Sequence, residues 1–448
     1  MSKDRISRRD FLRLSGLSIG SALLTSCTAK GKYSFGIGDD RPNFIIIFSD
    51  DQRYDTMEFM PKTQALIFDQ GVTFSQGYVS SPLCGPSRAN ILTGMHAHNH
   101  GVTDNNGELK IGTFVEDLQE NGYFTGLVGK YINKWKGDPR PEYDYWASIF
   151  RDASPYYDPD ININGEWHWQ MDGYITDIMG DLVVDFVDEA SKKLRPFFLL
   201  FAPTAPHSPA TPAIEDEGLY PDLPPHRPPN YNEEDFSDKP ASITHKKTLT
   251  EEDSQRIDEF RRDQILTLVS LDRAVEKIIQ KLDEAGELDN TVIIYLSDNG
   301  KHWGEHRLDS KGSQYQESIH VPFALRYPPL VPEPYVEERL VGSVDITSTL
   351  YDLAQLPIPS NMDGESLVPM LAGEIWTRDK IYIECYPSRG HWELIHTGRY
   401  KYVETEGHLS EFYDLKEDPY ELDNQINNPA YQEIIAELKA VLEEKRNN

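Results

Sequence analysis

The chain has 448 residues, enough for about three domains of ordinary size or for one large domain with an appendage. Its 74 acidic residues against 44 lysines and arginines give a formal net charge of −30, so the composition predicts no nucleic-acid partner, and any anionic substrate needs a local cationic pocket. The three cysteines are too few for a disulfide scaffold in a chain of this length.

Residues 1–27 are typical of an export signal. The twin-arginine pair Arg8-Arg9 precedes an apolar stretch at residues 14–24, which is too short to span a bilayer. Residues 24–27 resemble a bacterial lipobox, in which the final cysteine, here Cys27, is lipidated. We therefore expect export by the twin-arginine route to the periplasm of a bacterium, or to its outer membrane through a lipid anchor at Cys27.

Short, continuous apolar runs indicate strands that are buried on both faces of a parallel sheet. These runs are Phe44–Phe48, Phe124–Val128, Phe197–Phe201 and Val292–Leu296. Helical patterns lie between them at residues 60–70, 113–121, 174–192 and 254–285. The alternation predicts a large α/β main domain at residues 42–375, which follows a linker at residues 28–41.

The end of the chain, residues 376–448, has a different pattern. Alternating strand-like pieces lie at residues 381–386, 392–397, 400–403 and 411–415, and an amphipathic helix follows at about residues 429–445. We expect a C-terminal subdomain in which a small antiparallel sheet and a helix pack on the main domain.

Polar side chains follow the predicted strands where each one ends. They are Asp50, Asp51, Lys130, His207, Asp298 and Asn299. Because the carboxyl ends of parallel strands form one edge of a sheet, we expect these side chains to converge. The three aspartates and the asparagine offer only oxygen ligands, which favours calcium, or else magnesium, over zinc.

The segment at residues 80–94 indicates a reactive centre. Cys84 precedes Pro86, a residue suited to the first turn of a helix. A helix N-terminus offers free backbone N–H groups and the positive end of the helix dipole to an anion. The pattern therefore predicts a nucleophile that acts on an oxyanion.

The pattern Cys-x-Pro-Ser-Arg at residues 84–88, with Ala-x-Ile-Leu-Thr-Gly at residues 89–94, resembles the signature of the type I sulfatases of the alkaline phosphatase superfamily. The resemblance implies a large mixed, mostly parallel sheet between helices. It also implies that a formylglycine-generating enzyme oxidises Cys84 to formylglycine, whose hydrate attacks sulfur. Expelling sulfate by re-forming the aldehyde splits one difficult step into two easier ones.

The resemblance also assigns roles to individual residues. It implies a metal site formed by Asp50, Asp51, Cys84, Asp298 and Asn299. It further implies catalytic or sulfate-binding roles for Arg88, Lys130, His207 and Lys311.

One position departs from the common family pattern. Many members have Gly-Lys-Trp-His, whereas this chain has Gly129-Lys130-Tyr131-Ile132-Asn133, and Ile132 cannot transfer protons. This form, with the histidine-rich segment at residues 96–100, is similar to the N-acetylglucosamine-6-sulfatases and heparan endosulfatases. The base that replaces the family histidine is left open between His207, His302 and His306, each of which could instead contact substrate.

A sulfated carbohydrate is the expected substrate, either a glycosaminoglycan 6-O-sulfate or an algal polysaccharide such as ulvan. Candidate substrate contacts are His98, His100, His302, His306 and Arg307. The main alternative is a phosphomonoester or phosphonate hydrolase of the same superfamily, for which two metals about 4 Å apart and an unmodified Ser or Thr nucleophile would be typical. A non-enzymatic glycan-binding lipoprotein is the other alternative, and it would require a lost nucleophile or lost metal ligands.

Overall fold

The computed structural model describes residues 41–150, 154–387 and 390–446, which belong to one compact unit. The expected export signal at residues 1–27, the lipid anchor at Cys27 and all but the last residue of the linker lie outside the described residues. None of the helices in the described part of the chain combines the length and the apolar character that crossing a membrane requires.

Strands and helices alternate along the main part of the chain, as expected for an α/β fold. The strands are β1 (Asn43–Ser49), β2 (Val72–Phe74), β3 (Gly77–Tyr78), β4 (Phe124–Gly129), β5 (Tyr145–Ile149), β6 (Ile161–Ile163), β7 (Glu166–His168), β8 (Phe197–Ala202), β9 (Thr291–Ser297), β10 (Phe323–Arg326), β11 (Tyr335–Glu337), β12 (Val341–Gly342), β13 (Ile381–Cys385), β14 (Trp392–His396), β15 (Tyr400–Thr405) and β16 (Glu411–Asp414). The α-helices are α1 (Pro61–Leu66), α2 (Cys84–Thr93), α3 (Ala97–His100), α4 (Phe114–Glu120), α5 (Ile175–Ala190), α6 (Ala241–Thr244), α7 (Glu251–Glu284), α8 (Gln316–Ile319), α9 (Asp345–Leu353), α10 (Val368–Leu371) and α11 (Gln432–Lys445).

The largest sheet has ten strands in the order β11-β2-β10-β9-β1-β8-β4-β5-β6-β7. Its centre, from β9 to β5, is parallel, whereas β10, β6 and β7 run antiparallel to a neighbour. Every residue of β1, β4, β8 and β9 is buried, which explains their continuous apolar sequences. The predicted mixed, mostly parallel sheet is confirmed.

Helices α5 and α7 cover one face of this sheet. Phe186 of α5 stacks on Phe124 of β4, with ring centroids 5.3 Å apart. This contact needs Gly126, because a side chain there would collide with the Phe186 ring. Helix α7 begins at Glu251, before the predicted start at residue 254, because Thr250 and Asp253 form a capping box whose effect hydrophobic periodicity alone does not reveal.

The C-terminal part forms a four-stranded antiparallel sheet, β13-β14-β15-β16, which confirms the prediction. One face packs on α11 through Leu438 and Leu442, and the other packs on Tyr78 and Ile319 of the main part. The small sheet is therefore fixed to the main part of the protein by a shared apolar core. The domain boundary at residue 376 stays a prediction.

Gly129 ends β4 with a backbone conformation that favours glycine, since its φ is +116°. A Cβ atom there would collide with the carbonyl oxygen of Ala202, which accepts the Lys130 backbone N–H at 2.8 Å. The hydrogen bond between the Lys130 backbone and Ala202 of β8 is therefore possible only because residue 129 has no side chain.

We expect Gly129→Ala to lower the free energy of unfolding by about 3 kcal/mol, through the combined effects of positive φ and overpacking. Gly286→Ala is the matched control, because Gly286 has φ +74° and open space around its Cα. That variant should lose about 1 kcal/mol from conformational strain alone. Urea unfolding of both variants measures the difference, and equal losses would show that the contact with Ala202 is unimportant.

Candidate active site

The carboxyl ends of β1 and β9 bring the predicted metal ligands together. Ser49 and Ser297 are paired in register, so the residues that follow them lie level with each other. The backbone N–H of Asp51 donates to Asp298 Oδ1 at 3.1 Å, and Asn299 Nδ2 donates to Asp51 Oδ1 at 2.7 Å. The predicted convergence of these strand ends is thus present in the structure.

The ligand set fits a hard cation. Asp50, Asp51, Asp298 and Asn299 are all at most 2% exposed, so their oxygens have little access to bulk water. Asn299 Oδ1 has no hydrogen-bond partner within the described residues, although it is buried. A buried, unpaired amide oxygen beside three carboxylates is a suitable ligand for calcium or magnesium.

Nearby cations keep the carboxylates of Asp50 and Asp51 ionised, as binding of such a cation requires. Burial alone would raise the pKa of Asp50, but Lys130, followed by His207, Arg88 and Lys311, holds that pKa well below its usual range. Burial likewise opposes ionisation of Asp51, yet Lys311 and His207 lower its pKa to about 2. Both side chains are therefore charged at neutral pH.

Cys84 is the first residue of α2, and its side chain is 0% exposed. Its Sγ lies 3.3 Å from Asp50 Oδ1, and Lys311 Nζ lies 2.6 Å from Sγ. The backbone N–H of Gly85 donates to Asn105 Oδ1 at 2.8 Å, which holds the first turn of the helix in place. Burial and the nearby Asp298 raise the pKa of the unmodified thiol.

Three cationic side chains face this cluster. Arg88 Nε donates to Asp298 Oδ2 at 3.1 Å, and Arg88 also donates to the Lys130 carbonyl oxygen at 2.8 Å. Lys130 Nζ donates to Asp50 Oδ2 at 2.6 Å, and Lys311 Nζ pairs with Asp51. The three cations balance the three carboxylates, so a divalent metal would give the site a net positive charge that can bind an anion.

His207 follows β8 and faces the same cluster. Its Nδ1 lies 2.8 Å from the Ser208 carbonyl oxygen, and a hydrogen bond there requires Nδ1 to carry the proton. Its Nε2 lies 3.9 Å from Asp51 Oδ2. Tyr156 OH donates to the His207 carbonyl oxygen at 2.7 Å and fixes the loop. Nε2 is therefore the ring nitrogen placed to exchange a proton with a ligand.

The predicted substrate contacts at residues 302–307 mainly join this loop to other protein segments. His302 Nε2 lies 2.6 Å from Ser313 Oγ, and burial lowers the His302 pKa to about 3. His306 Nδ1 lies 2.7 Å from Glu233 Oε2, and Arg307 Nε donates to the Glu233 carbonyl oxygen at 2.8 Å. Their roles as substrate contacts stay predictions.

His98 and His100 have different surroundings, although both belong to α3. His100 is 4% exposed, and its ring nitrogens contact the Val102 backbone N–H at 3.0 Å and Asn90 Nδ2 at 3.2 Å. His98 Nδ1 lies 2.9 Å from Glu384 Oε1, and this hydrogen bond raises the His98 pKa. Both assignments as substrate contacts remain predictions, and the His100 ring is already engaged within the protein.

Two residues that support the site were not predicted from the sequence. Asn105 lies in an irregular segment with no hydrophobic period, so nothing in the sequence connects it to Gly85. Glu384 lies within β13, where it accepts hydrogen bonds from the hydroxyls of Tyr382 at 3.1 Å and Tyr386 at 2.8 Å. Alternation along a strand could have marked Glu384 as an unusual buried acid.

Known proteins are similar to this chain in sequence and in fold. A model of the sulfatase family matches residues 42–356, and a model described as N-sulphoglucosamine sulphohydrolase, C-terminal, matches residues 304–448. Human N-acetylglucosamine-6-sulfatase is 34% identical over 403 residues, which cover 83% of this chain and 72% of the human protein. The extracellular sulfatase SULF-1 homolog of Drosophila melanogaster is 32% identical over 350 residues, or 74% of this chain, but only 31% of the fly protein is covered.

A solved structure supports the same relationship. It contains a protein in complex with its substrate, D-glucosamine-2-N,6-O-disulfate, and superposes with a TM-score of 0.82 at 27% sequence identity. The match covers 91% of this chain and 98% of that chain. The chain therefore belongs to the type I sulfatase family of the alkaline phosphatase superfamily and is a sulfuric ester hydrolase.

Proposed function

We propose that this protein removes 6-O-sulfate from glucosamine units of glycosaminoglycan-type chains, after Cys84 has been converted to formylglycine. The observation that carries the proposal is the position of Cys84, at the start of a buried helix beside Lys130, Arg88 and Lys311. The names of the relatives, N-acetylglucosamine-6-sulfatase and a protein bound to D-glucosamine-2-N,6-O-disulfate, support this substrate class over ulvan.

Catalysis at this site depends mainly on positive charge around the sulfate group. Converted to formylglycine, residue 84 would supply a hydrated aldehyde as the nucleophile towards sulfur. Lys130 and Arg88 are fixed by buried carboxylates, so they are preorganised to stabilise charge on the sulfate oxygens. Asp50, Asp51, Asp298 and Asn299 would hold Ca²⁺ or Mg²⁺, which adds positive charge at the same place.

Proton transfer falls to His207 and Lys311. Lys311 Nζ contacts the Cys84 sulfur, so it is placed to protonate the leaving alcohol. Among the candidate bases, His302 and His306 are hydrogen bonded to Ser313 and Glu233, whereas His207 Nε2 points towards the ligand cluster. We assign to His207 the base function that Ile132 cannot provide.

We propose His98 as a sugar contact. Its Nε2 has no hydrogen-bond partner within the described residues, while Nδ1 is held by Glu384. The His98 imidazole therefore has one ring nitrogen with which a sugar hydroxyl would pair.

Co-expression with a formylglycine-generating enzyme should convert Cys84 and leave Cys385 unchanged. Both cysteines are buried and free, so Cys385 is an internal control for non-specific oxidation. Peptide mass spectrometry should show residue 84 lighter by the difference between a CH₂–SH and a CHO group. An unmodified Cys84 despite a competent maturing enzyme would contradict the proposed nucleophile. Faster hydrolysis of a phosphate than of a sulfate monoester would instead favour the phosphatase alternative.

Lys311→Ala should reduce kcat/KM on N-acetylglucosamine 6-sulfate by about 10²–10⁴-fold, because a sugar alcohol needs a proton to leave. The loss on an aryl sulfate should be smaller, since a phenolate leaves without protonation. The exposed Lys439 of α11 is the matched control for charge removal. Equal losses of Lys311→Ala on both substrates would assign this lysine to sulfate binding alone.

Chelation should abolish sulfate release, and Ca²⁺ or Mg²⁺ should restore it, because the ligands are all oxygens. Asn299→Ala should weaken the rise in melting temperature that the added ion causes, since the variant lacks the buried, unpaired amide oxygen. Asn361→Ala, at an exposed asparagine, is the control. Unchanged activity after exhaustive chelation, or an identical ion-dependent rise in Asn299→Ala, would contradict this site.

A further inference from the structure

A second pocket lies beside the residues that hold the nucleophile. It has a volume of about 360 Å³ and lies between the loop at residues 106–109 and the segment at residues 131–140. This volume lies within the range of sites that bind small molecules. None of the catalytic or metal-binding residues proposed above lines it.

Both walls of the pocket are connected to the active site along the chain. The first wall begins after Asn105, whose side chain accepts the Gly85 N–H next to Cys84. The second begins at Tyr131, the residue after Lys130, whose ammonium group pairs with Asp50. Each wall therefore follows a residue that contacts the active site, Asn105 for the first wall and Lys130 for the second.

Two lining side chains have unused polar atoms. Tyr131 is 3% exposed and Asn133 is 6% exposed. The Tyr131 hydroxyl and Asn133 Oδ1 have no hydrogen-bond partner in the part of the chain that the structure describes. Buried polar groups in proteins are nearly always paired, so two unpaired atoms at one pocket point to a polar ligand.

An aromatic platform completes the pocket. The Trp135 indole N–H donates to the Asp138 carbonyl oxygen at 2.7 Å, which fixes the plane of the ring. Tyr131 meets Trp135 edge to face, with centroids 5.5 Å apart, and the Arg140 guanidinium lies 5.4 Å from the Trp135 ring centre. A rigid aromatic face with a few polar atoms suits a ring that has one apolar face and hydroxyls at its edge.

We propose that this pocket binds a second sugar ring, the neighbour of the sulfated unit in an oligosaccharide. The proposal rests on the proposed function and extends it, because it makes a chain of at least two sugars the preferred substrate. Trp135 stacks on the ring, while Tyr131 and Asn133 bond to its hydroxyls. None of these residues takes part in the chemical step.

The test compares N-acetylglucosamine 6-sulfate with a glycosaminoglycan tetrasaccharide that carries the same sulfate. Trp135→Ala should lower kcat/KM on the tetrasaccharide about tenfold more than on the monosaccharide, as expected for losing one aromatic contact. Tyr335→Ala is the matched control, because Tyr335 is an exposed aromatic residue on the edge strand β11. It should leave the ratio of the two kcat/KM values unchanged.

Tyr131→Phe separates binding from folding. It removes an unpaired buried hydroxyl, so the melting temperature should stay the same or rise, while tetrasaccharide affinity should fall about threefold to tenfold. Calorimetric titration with a desulfated tetrasaccharide measures this affinity without any turnover. The binding result is therefore independent of turnover. Failure of the wild-type enzyme to release sulfate would count against the proposed function, but not against the pocket.

Several outcomes would overturn the second-sugar pocket. One is an equal loss of Trp135→Ala on the monosaccharide and the tetrasaccharide, which would mean that Trp135 only supports Lys130. Another is tetrasaccharide affinity that neither Trp135→Ala nor Tyr131→Phe changes. Undetectable binding of the desulfated tetrasaccharide to the wild-type protein, together with equal kcat/KM on the two sulfated substrates, would also exclude the pocket.

Discussion

The active site depends on the mutual neutralisation of charged groups with little access to water. These groups are Asp50, Asp51 and Asp298 on one side and Arg88, Lys130 and Lys311 on the other. An unpaired buried ion is unstable by several kcal/mol, so each group requires its partners in place. Since the carboxylates follow β1 and β9 while the cations come from α2, β4 and a later loop, the charges pair only when all these elements are assembled. The contacts that stabilise this edge of the sheet are the same contacts that prepare it for an anion.

The C-terminal sheet supports this arrangement from outside the main sheet. Trp392 Nε1 donates to the Gly312 carbonyl oxygen at 3.0 Å, and Lys401 Nζ donates to that of Gln314 at 2.7 Å. Tyr315 OH donates to Glu411 Oε1 at 2.9 Å. The loop of Lys311 is thus attached to β14, β15 and β16, which agrees with a C-terminal family match that already starts at residue 304. The small sheet is therefore a structural part of the active site.

The sequence predicts best those features of the fold that depend on hydrophobic periodicity and on strand order. The buried strands were recognisable because the runs Phe44–Phe48 and Val292–Leu296 are entirely apolar, and parallel order then brings Asp50 and Asp298 to one edge. Long-range polar contacts were not recognisable. The partner of His306 is Glu233, and only the folded chain brings these residues together. The same holds for the Trp135 pocket, whose facing loop has no periodic pattern.

Helix α2 is buried along its whole length, from Cys84 to Thr93. The folded protein leaves no residue of this helix accessible, so a maturing enzyme cannot reach Cys84 in it. We therefore expect oxidation of Cys84 to precede closure of the sheet around α2, while the chain is still unfolded. Burial of α2 thus implies that oxidation comes before folding, because a chain that folded first would enclose the unmodified Cys84 thiol.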